Sequence, residues 1–231
     1  MRKRIVMIFA IMMTVAMIGV GFAAWIITAP TENVHNDGTV SVETVENQGW
    51  KFNAYWVDSA SYENDGTEAG KSTKNPVIVF GTPKTPDATI KNPYLVNTTI
   101  GEENMVAHLY VQGVKLFEGN YVIEDSADIS LDFYKTVSGE TSKVEKSEYN
   151  AYFTTKLTVD GTVVSQLTPQ QLIEGVVVKV EFVWSLADGA NPYNYFNKLG
   201  YESASEAANF LTGLHTAVNG LTFQIDLVAV K

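Results

Sequence analysis

The sequence predicts an all-β protein, a jelly-roll-like β-sandwich with one or two short peripheral helices. Three observations predict it. Apolar and polar residues alternate in run after run, the period of a half-buried strand. The runs are short and separated by clusters of Asn, Asp, Gly, Ser and Thr. Only two stretches combine capping residues with helical spacing of apolar side chains.

Trp50, Phe52, Ala54 and Trp56 alternate with Lys51, Asn53 and Tyr55 and form the first clear strand. Residues 106–114 put Ala107, Leu109 and Val111 on one face and His108, Tyr110 and Gln112 on the other. Ile129, Leu131 and Phe133 alternate with Ser130, Asp132 and Tyr134. Residues 149–159 alternate again, with Ala151, Phe153 and Leu157 expected inward. Asp160-Gly161 follows as a hairpin signal, because a type I′ turn needs positive φ at both central positions. Val176, Val178, Val180, Phe182 and Trp184 form one apolar face. Val177 and Val183 make the opposite face partly apolar, which marks a central strand. Leu221, Phe223, Ile225, Leu227 and Ala229, against Thr222, Gln224 and Asp226, form a last strand built into a sheet.

Thr168-Pro169-Gln170-Gln171 has an N-cap, a proline at the first helical position and a capping-box glutamine, and Gly175 stops the helix. Ser203-Ala204-Ser205-Glu206 predicts a second capping box. Ala204, Ala207, Ala208, Leu211, Leu214 and Val218 then make an apolar stripe that ends at Gly220. Residues 32–38, 59–75, 83–87, 137–148 and 188–200 are expected to be loops. Asn36-Asp37-Gly38-Thr39 and Asn64-Asp65-Gly66-Thr67 look alike because both are turn chemistry, not because the chain repeats.

Ahead of the strands lies a secretory signal. Met1-Arg2-Lys3-Arg4 is basic, and residues 5–27 follow without a charge. Gly21-Phe22-Ala23 has the small-x-small form that signal peptidase accepts, which places the cut between Ala23 and Ala24. The apolar run is also long enough for an uncleaved anchor, since about 20 residues span a bilayer. Either way the rest of the chain lies outside the cytoplasm. The expected organisation is a signal at 1–23, an N-terminal segment at 24–47 and one sandwich domain at 48–231.

Composition narrows the function. The chain has no cysteine, so stability must come from packing and hydrogen bonds. Without Arg2, Lys3 and Arg4, thirteen lysines face twenty-six carboxylates, a formal charge of about −13. Such a surface repels nucleic acid and anionic lipid, and no nucleic-acid partner is expected. Membrane contact is expected only through an uncleaved signal.

Catalytic residues are hard to assemble. His35, His108 and His215 are far apart, and neither His-Glu-x-x-His nor Gly-x-Ser-x-Gly occurs. His108 and His215 read as surface or packing residues, and no cofactor is expected. Glu63, Asp65 and Glu68 share a loop, as do Glu102 and Glu103. Calcium accepts such oxygens, but the spacing fits no known Ca²⁺ loop, so solvated acidic loops are the plainer reading. Asn97-Thr98-Thr99 is a glycosylation sequon. Tyr55, Trp56, Tyr193, Tyr195 and Tyr201 would stack on sugars if exposed, or fill the core and its ends if not.

Several stretches resemble one family. Gly19-Val20-Gly21-Phe22-Ala23-Ala24-Trp25 resembles signals cut by the SipW-type peptidase. Thr89-Ile90-Lys91-Asn92-Pro93 followed by residues 105–111, the Trp-bearing Val180-Glu181-Phe182-Val183-Trp184, and the closing residues 223–230 resemble features of its cargo. Together they resemble the TasA/camelysin family of secreted biofilm-matrix proteins. Ala-Ala-Trp departs from the usual aromatic pair, the middle-strand Arg is absent, and the Asp-rich loop after the Trp strand is reduced to Asp188. The resemblance implies a jelly roll that assembles into fibres, the N-terminal segment of one subunit completing the sheet of the next. Here Trp25, Ile26, Ile27, Val40, Val42 and Val45 would be the donor residues, and the partner a homo-oligomer, a filament. A chain starting near Thr39 would then fold normally and stay monomeric. The alternative for Val40 and Val42 is pairing at a sheet edge of their own subunit. Two other functions remain open: a monomeric module that binds glycan or a host surface, and a camelysin-like metalloprotease, which no residue set here supports.

Overall fold

The computed structural model describes residues 25–28, 40–42, 50–83, 98–100, 105–115 and 123–230. In chain order the strands are β1 (Trp25–Thr28), β2 (Val40–Val42), β3 (Trp50–Val57), β4 (Val77–Pro83), β5 (Thr98–Ile100), β6 (Val106–Lys115), β7 (Ser126–Val137), β8 (Glu140–Lys143), β9 (Phe153–Val159), β10 (Thr162–Val163) and β11 (Gln166–Leu167). Helix α1 (Pro169–Glu174) precedes β12 (Val176–Trp184). Helices α2 (Pro192–Leu199) and α3 (Ala204–Val218) precede β13 (Leu221–Val230).

The strands form two sheets. The first has the order β11-β7-β13-β1-β4-β5, with β2 also on β13 and β8 on β7. The second has the order β10-β9-β12-β6-β3. Both are antiparallel except where β1 and β2 run parallel to β13. The expected all-β sandwich is therefore present. Aromatic rings join the two inner faces: Phe80 of the first sheet lies 4.7 Å from Phe153 of the second, and Phe223 lies 5.7 Å from Trp56 and 5.5 Å from Phe182.

Period-two alternation produced the right faces. Trp50, Phe52 and Trp56, Leu109 and Val111, Val178 to Trp184 at alternate positions, and Leu221 to Leu227 likewise are all buried. Strand β12 is central, between β9 and β6. The Asp160-Gly161 turn has φ of 48° and 79° and joins Val159 to Thr162. Thr168 caps α1: its Oγ1 accepts from the Gln171 amide, and Gln171 Oε1 accepts from the Thr168 amide at 2.9 Å. Gly175 ends that helix at φ 83°, and a Cβ there would fall 2.0 Å from the Tyr110 hydroxyl oxygen, so the position admits only glycine without rearrangement.

Five expectations need correction. Ala151 is exposed in a turn, and Tyr149 turns inward instead, stacked 5.3 Å from Phe153 where β9 begins. Residues 137–148 are not wholly loop. A Ser138-Gly139 turn, φ 55° and 87°, folds β8 back on β7, and serine at a left-handed position hid the hairpin. Residues 188–200 contain α2, because Asn191 Oδ1 accepts from the amides of Tyr193 and Asn194 and Pro192 opens the first turn. Ser203 forms no capping box: its hydroxyl donates to the carbonyls of Phe196 and Gly200, tying the end of α2 to the start of α3. Lastly, β4 begins in Val77-Ile78-Val79-Phe80, an unbroken apolar run with no alternation to betray it, and extends into the stretch expected to be loop.

Helix α3 buries Ala207, Leu211, Leu214, Ala217 and Val218. Its Phe210 packs against Tyr152, Trp184 and Phe196. The aromatic end of the sandwich is thereby closed beside β1, against which α3 also lies. Among the described residues no helix is long and apolar enough to cross a membrane. The signal at 1–23, its cleavage point at Ala23 and Ala24, and Val45 lie outside the described residues.

Candidate assembly site

Strand β13 organises the first sheet. On one side it pairs with β7 along its whole length, from Leu221↔Lys135 to Val230↔Ser126. On the other side, among the described residues, it meets only the N-terminal strands. Thr28 of β1 pairs with Thr222, and Val40, Ser41 and Val42 of β2 pair with Ile225, Asp226 and Leu227. Both N-terminal strands run parallel to β13 and follow one another along the same edge. Pairing in their own subunit is thus the arrangement seen for Val40 and Val42 in the single chain.

Strand β1 has a second partner. It runs antiparallel to β4 through Trp25↔Gly81, Ile26↔Val79, Ile27↔Ile78 and Thr28↔Val77. The register shifts between Trp25 and Ile26, so Phe80 has no opposite residue there. Among the described residues of the first sheet, β4 and β5 reach β13 only through β1. Thr28 is thus paired on both sides, while Trp25, Ile26 and Ile27 pair with β4.

The strands that receive β1 and β2 are held by the core. Ile78 and Phe80 on β4 are fully buried, and Phe80 also packs 5.4 Å from Trp184. Phe223, Ile225 and Leu227 on β13 are fully buried as well. Strand β4 escaped the sequence reading, and its signal was the short apolar run between Pro76 and Gly81.

The other candidates do not converge. His108 is half-buried on the outer face of the second sheet, paired across from Lys179 and Val57. Burial, and then the Lys179 charge, pushes its imidazole below the usual range, partly offset by Glu181. A cavity of about 180 Å³ is bordered by His108, Asp58 and Ser72, the residue types of a hydrolase triad. No hydrogen bond joins them, and Ser72 Oγ instead donates to the Lys74 carbonyl at 2.9 Å. His215 closes the last turn of α3.

Asp65 and Glu68 of the acidic loop have partners within it, and Glu63 is exposed. Asp65 Oδ1 accepts from the Thr67 amide and hydroxyl, which holds its carboxyl below the usual range, and Glu68 pairs with Lys71 at 2.8 Å. Among the described residues no group of three or more His, Asp or Glu side chains is placed to hold a metal. Glu102, Glu103, Asn97 and His35 lie outside the described residues.

The aromatics offer little open ring surface. Trp56 is in the main core, and Tyr55 forms a second small core with Tyr62 and Tyr110 under residues 58–72. Tyr55 and Tyr62 share a hydrogen bond of 2.9 Å, and burial pushes the Tyr55 phenol far up. Tyr193 and Tyr195 are half-buried against the main core. The Tyr201 side chain is outside what the structure describes.

The chain matches no protein-family description, no curated protein and no solved structure.

Proposed function

We propose that the protein is a secreted, non-enzymatic structural subunit that assembles into extracellular fibres, as the resemblance to TasA-type matrix proteins implies. The observation that carries this reading is the position of β1: a short N-terminal strand completes a sheet between β13 and β4 by main-chain pairing. A strand held this way transfers between copies with little change in contacts. A contact between two different patches does not close on itself unless its rotation permits, so it extends as a filament.

Electron microscopy of the secreted form, with its start near Ala24 verified by intact mass, tests the proposal. Filaments are expected, and their yield should rise with salt or mild acid. The reason is charge: about −13 per copy opposes association at neutral pH. Screening at ~0.15 M salt shortens the Debye length to ~8 Å, and carboxylates begin to protonate near pH ~4. Uniformly monomeric protein across these conditions would refute the fibre reading.

A further inference from the structure

We infer that the cavity where β3 ends and β4 and β6 begin is a binding site for one neutral, polyhydroxylated ring, a single sugar residue or a cyclic polyol, held by Trp56, Asp58 and His108. The inference is independent of the fibre reading and goes beyond it.

The cavity is framed by both sheets. Val57 ends β3 and Val106 opens β6 in the second sheet, and Val77 opens β4 in the first. Asp58 and Val77 are exposed while Trp56 and Ala107 are buried, so the cavity runs from the surface toward the core. Its rim is fixed by the backbone. The Ser72 amide donates to the Trp56 carbonyl at 2.9 Å, and the Asp58 amide donates to the Gly70 carbonyl at 3.0 Å. Ser72 Oγ is taken up by the carbonyl and amide of Lys74, so Ser72 is wall and not ligand-binding group. The volume is about 180 Å³. One water needs only about 10–15 Å³, and drug-sized ligands fill pockets of roughly 300–1,000 Å³. A ligand of one ring suits the space between those limits.

The chemistry of the lining selects the ligand. The indole N–H groups of Trp50, Trp56 and Trp184 are buried without a hydrogen-bond partner, and of these three residues Trp56 alone lines the cavity. A buried donor left unpaired costs free energy that an acceptor on a ligand would recover. An apolar ligand would leave it unpaired. Asp58 brings a negative charge, and no lysine or arginine lines the cavity, which works against carboxylates and phosphates. A cationic amine would suit Asp58 but could not accept from Trp56. Burial holds the His108 imidazole below its usual range, so at pH 7 it is neutral and offers one donor and one acceptor. A hydroxyl both donates and accepts. Neighbouring hydroxyls on one ring therefore serve an indole N–H, a carboxylate and a neutral imidazole together.

The test follows the indole N–H signals of the four tryptophans by NMR. Methyl glucoside, N-acetylglucosamine and inositol are the probes, with glucuronate and methylamine as charged controls. The Trp56 signal, identified by its loss in Trp56→Phe, is expected to shift on titration with a dissociation constant on the order of millimolar. A response to the two sugars alone supports a sugar residue, and a response to inositol as well supports polyols in general. Asp58→Asn should weaken binding about tenfold without changing Tm, because its side chain is exposed. Glucuronate and methylamine should bind at least tenfold more weakly than the best neutral probe. If Trp56→Phe fails to fold, Asp58→Asn carries the test through the same titration of all four signals. Indole signals indifferent to every neutral probe would overturn the site and leave the cavity to water. Tighter binding of either charged control would overturn the ligand class, and unchanged affinity in Asp58→Asn would overturn the assignment of its carboxylate. Filament formation enters none of these readouts, so failure of this site and failure of the fibre reading are told apart.

Discussion

Replacing Phe223 with alanine is expected to destabilise the protein by about 3–5 kcal/mol, the range for large aromatic deletions in cores. Phe223 is fully buried at the middle of the sandwich. Its ring lies edge-on to Trp56 and Phe182 of the other sheet, and its backbone pairs with Phe133. Truncation would remove the link between three strands at once, and rigid sheets on both sides limit how far the cavity can collapse. Denaturant melts should show a lower midpoint with an unchanged m-value. A loss under about 1 kcal/mol would mean that Phe223 does not occupy the centre of the interface.

Removing residues 1–38 should lower stability as well as abolish filaments. A dispensable N-terminal segment would allow the chain from Thr39 to fold normally, but the structure puts β1 inside the first sheet. Its loss leaves one edge of β4, from Val77 to Gly81, and the Thr222 position of β13 without their β1 partners. At about 0.5–1.5 kcal/mol for each net hydrogen bond, some four lost bonds amount to roughly 2–6 kcal/mol. For a chain of this size each kcal/mol lowers Tm by about 2–4 °C. A synthetic peptide of residues 24–38 should restore part of the Tm as its concentration rises, because binding to the folded state alone stabilises it. A shortened chain that melts with the full one, indifferent to peptide, would show that β1 adds nothing to the sheet.

Faces were legible in the sequence where one side of a strand is wet. That is why β6, β12 and β13 could be read residue by residue. Tyr110 shows the limit: its position on the polar face of β6 was right, yet it is buried, because residues 58–72 fold over it and Gly175 makes room for its hydroxyl. Strand β4 was not legible, since an unbroken apolar run has no period to choose between strand and helix. Helix α2 is short enough that its Asn-Pro cap was its main signal. The junction at Thr28 was beyond local reading. It exists because Thr28 finds Thr222 and Val77, and nothing within a few residues of any of them specifies that meeting.

The distance along the chain between those partners has a kinetic consequence. Thr28 and Thr222 are separated by 194 positions, nearly the full length of the polypeptide. A ribosome or translocon releases β1 long before β13 exists to receive it. Long-range pairing of this kind forms late, after the loop-closure entropy has been met by nearer contacts. The ladder of β7 with β13 and the aromatic centre can assemble while the N-terminal strand is still unpaired. The N-terminal strand is therefore expected to join the sheet last, and a slow refolding phase should disappear when residues 1–38 are removed.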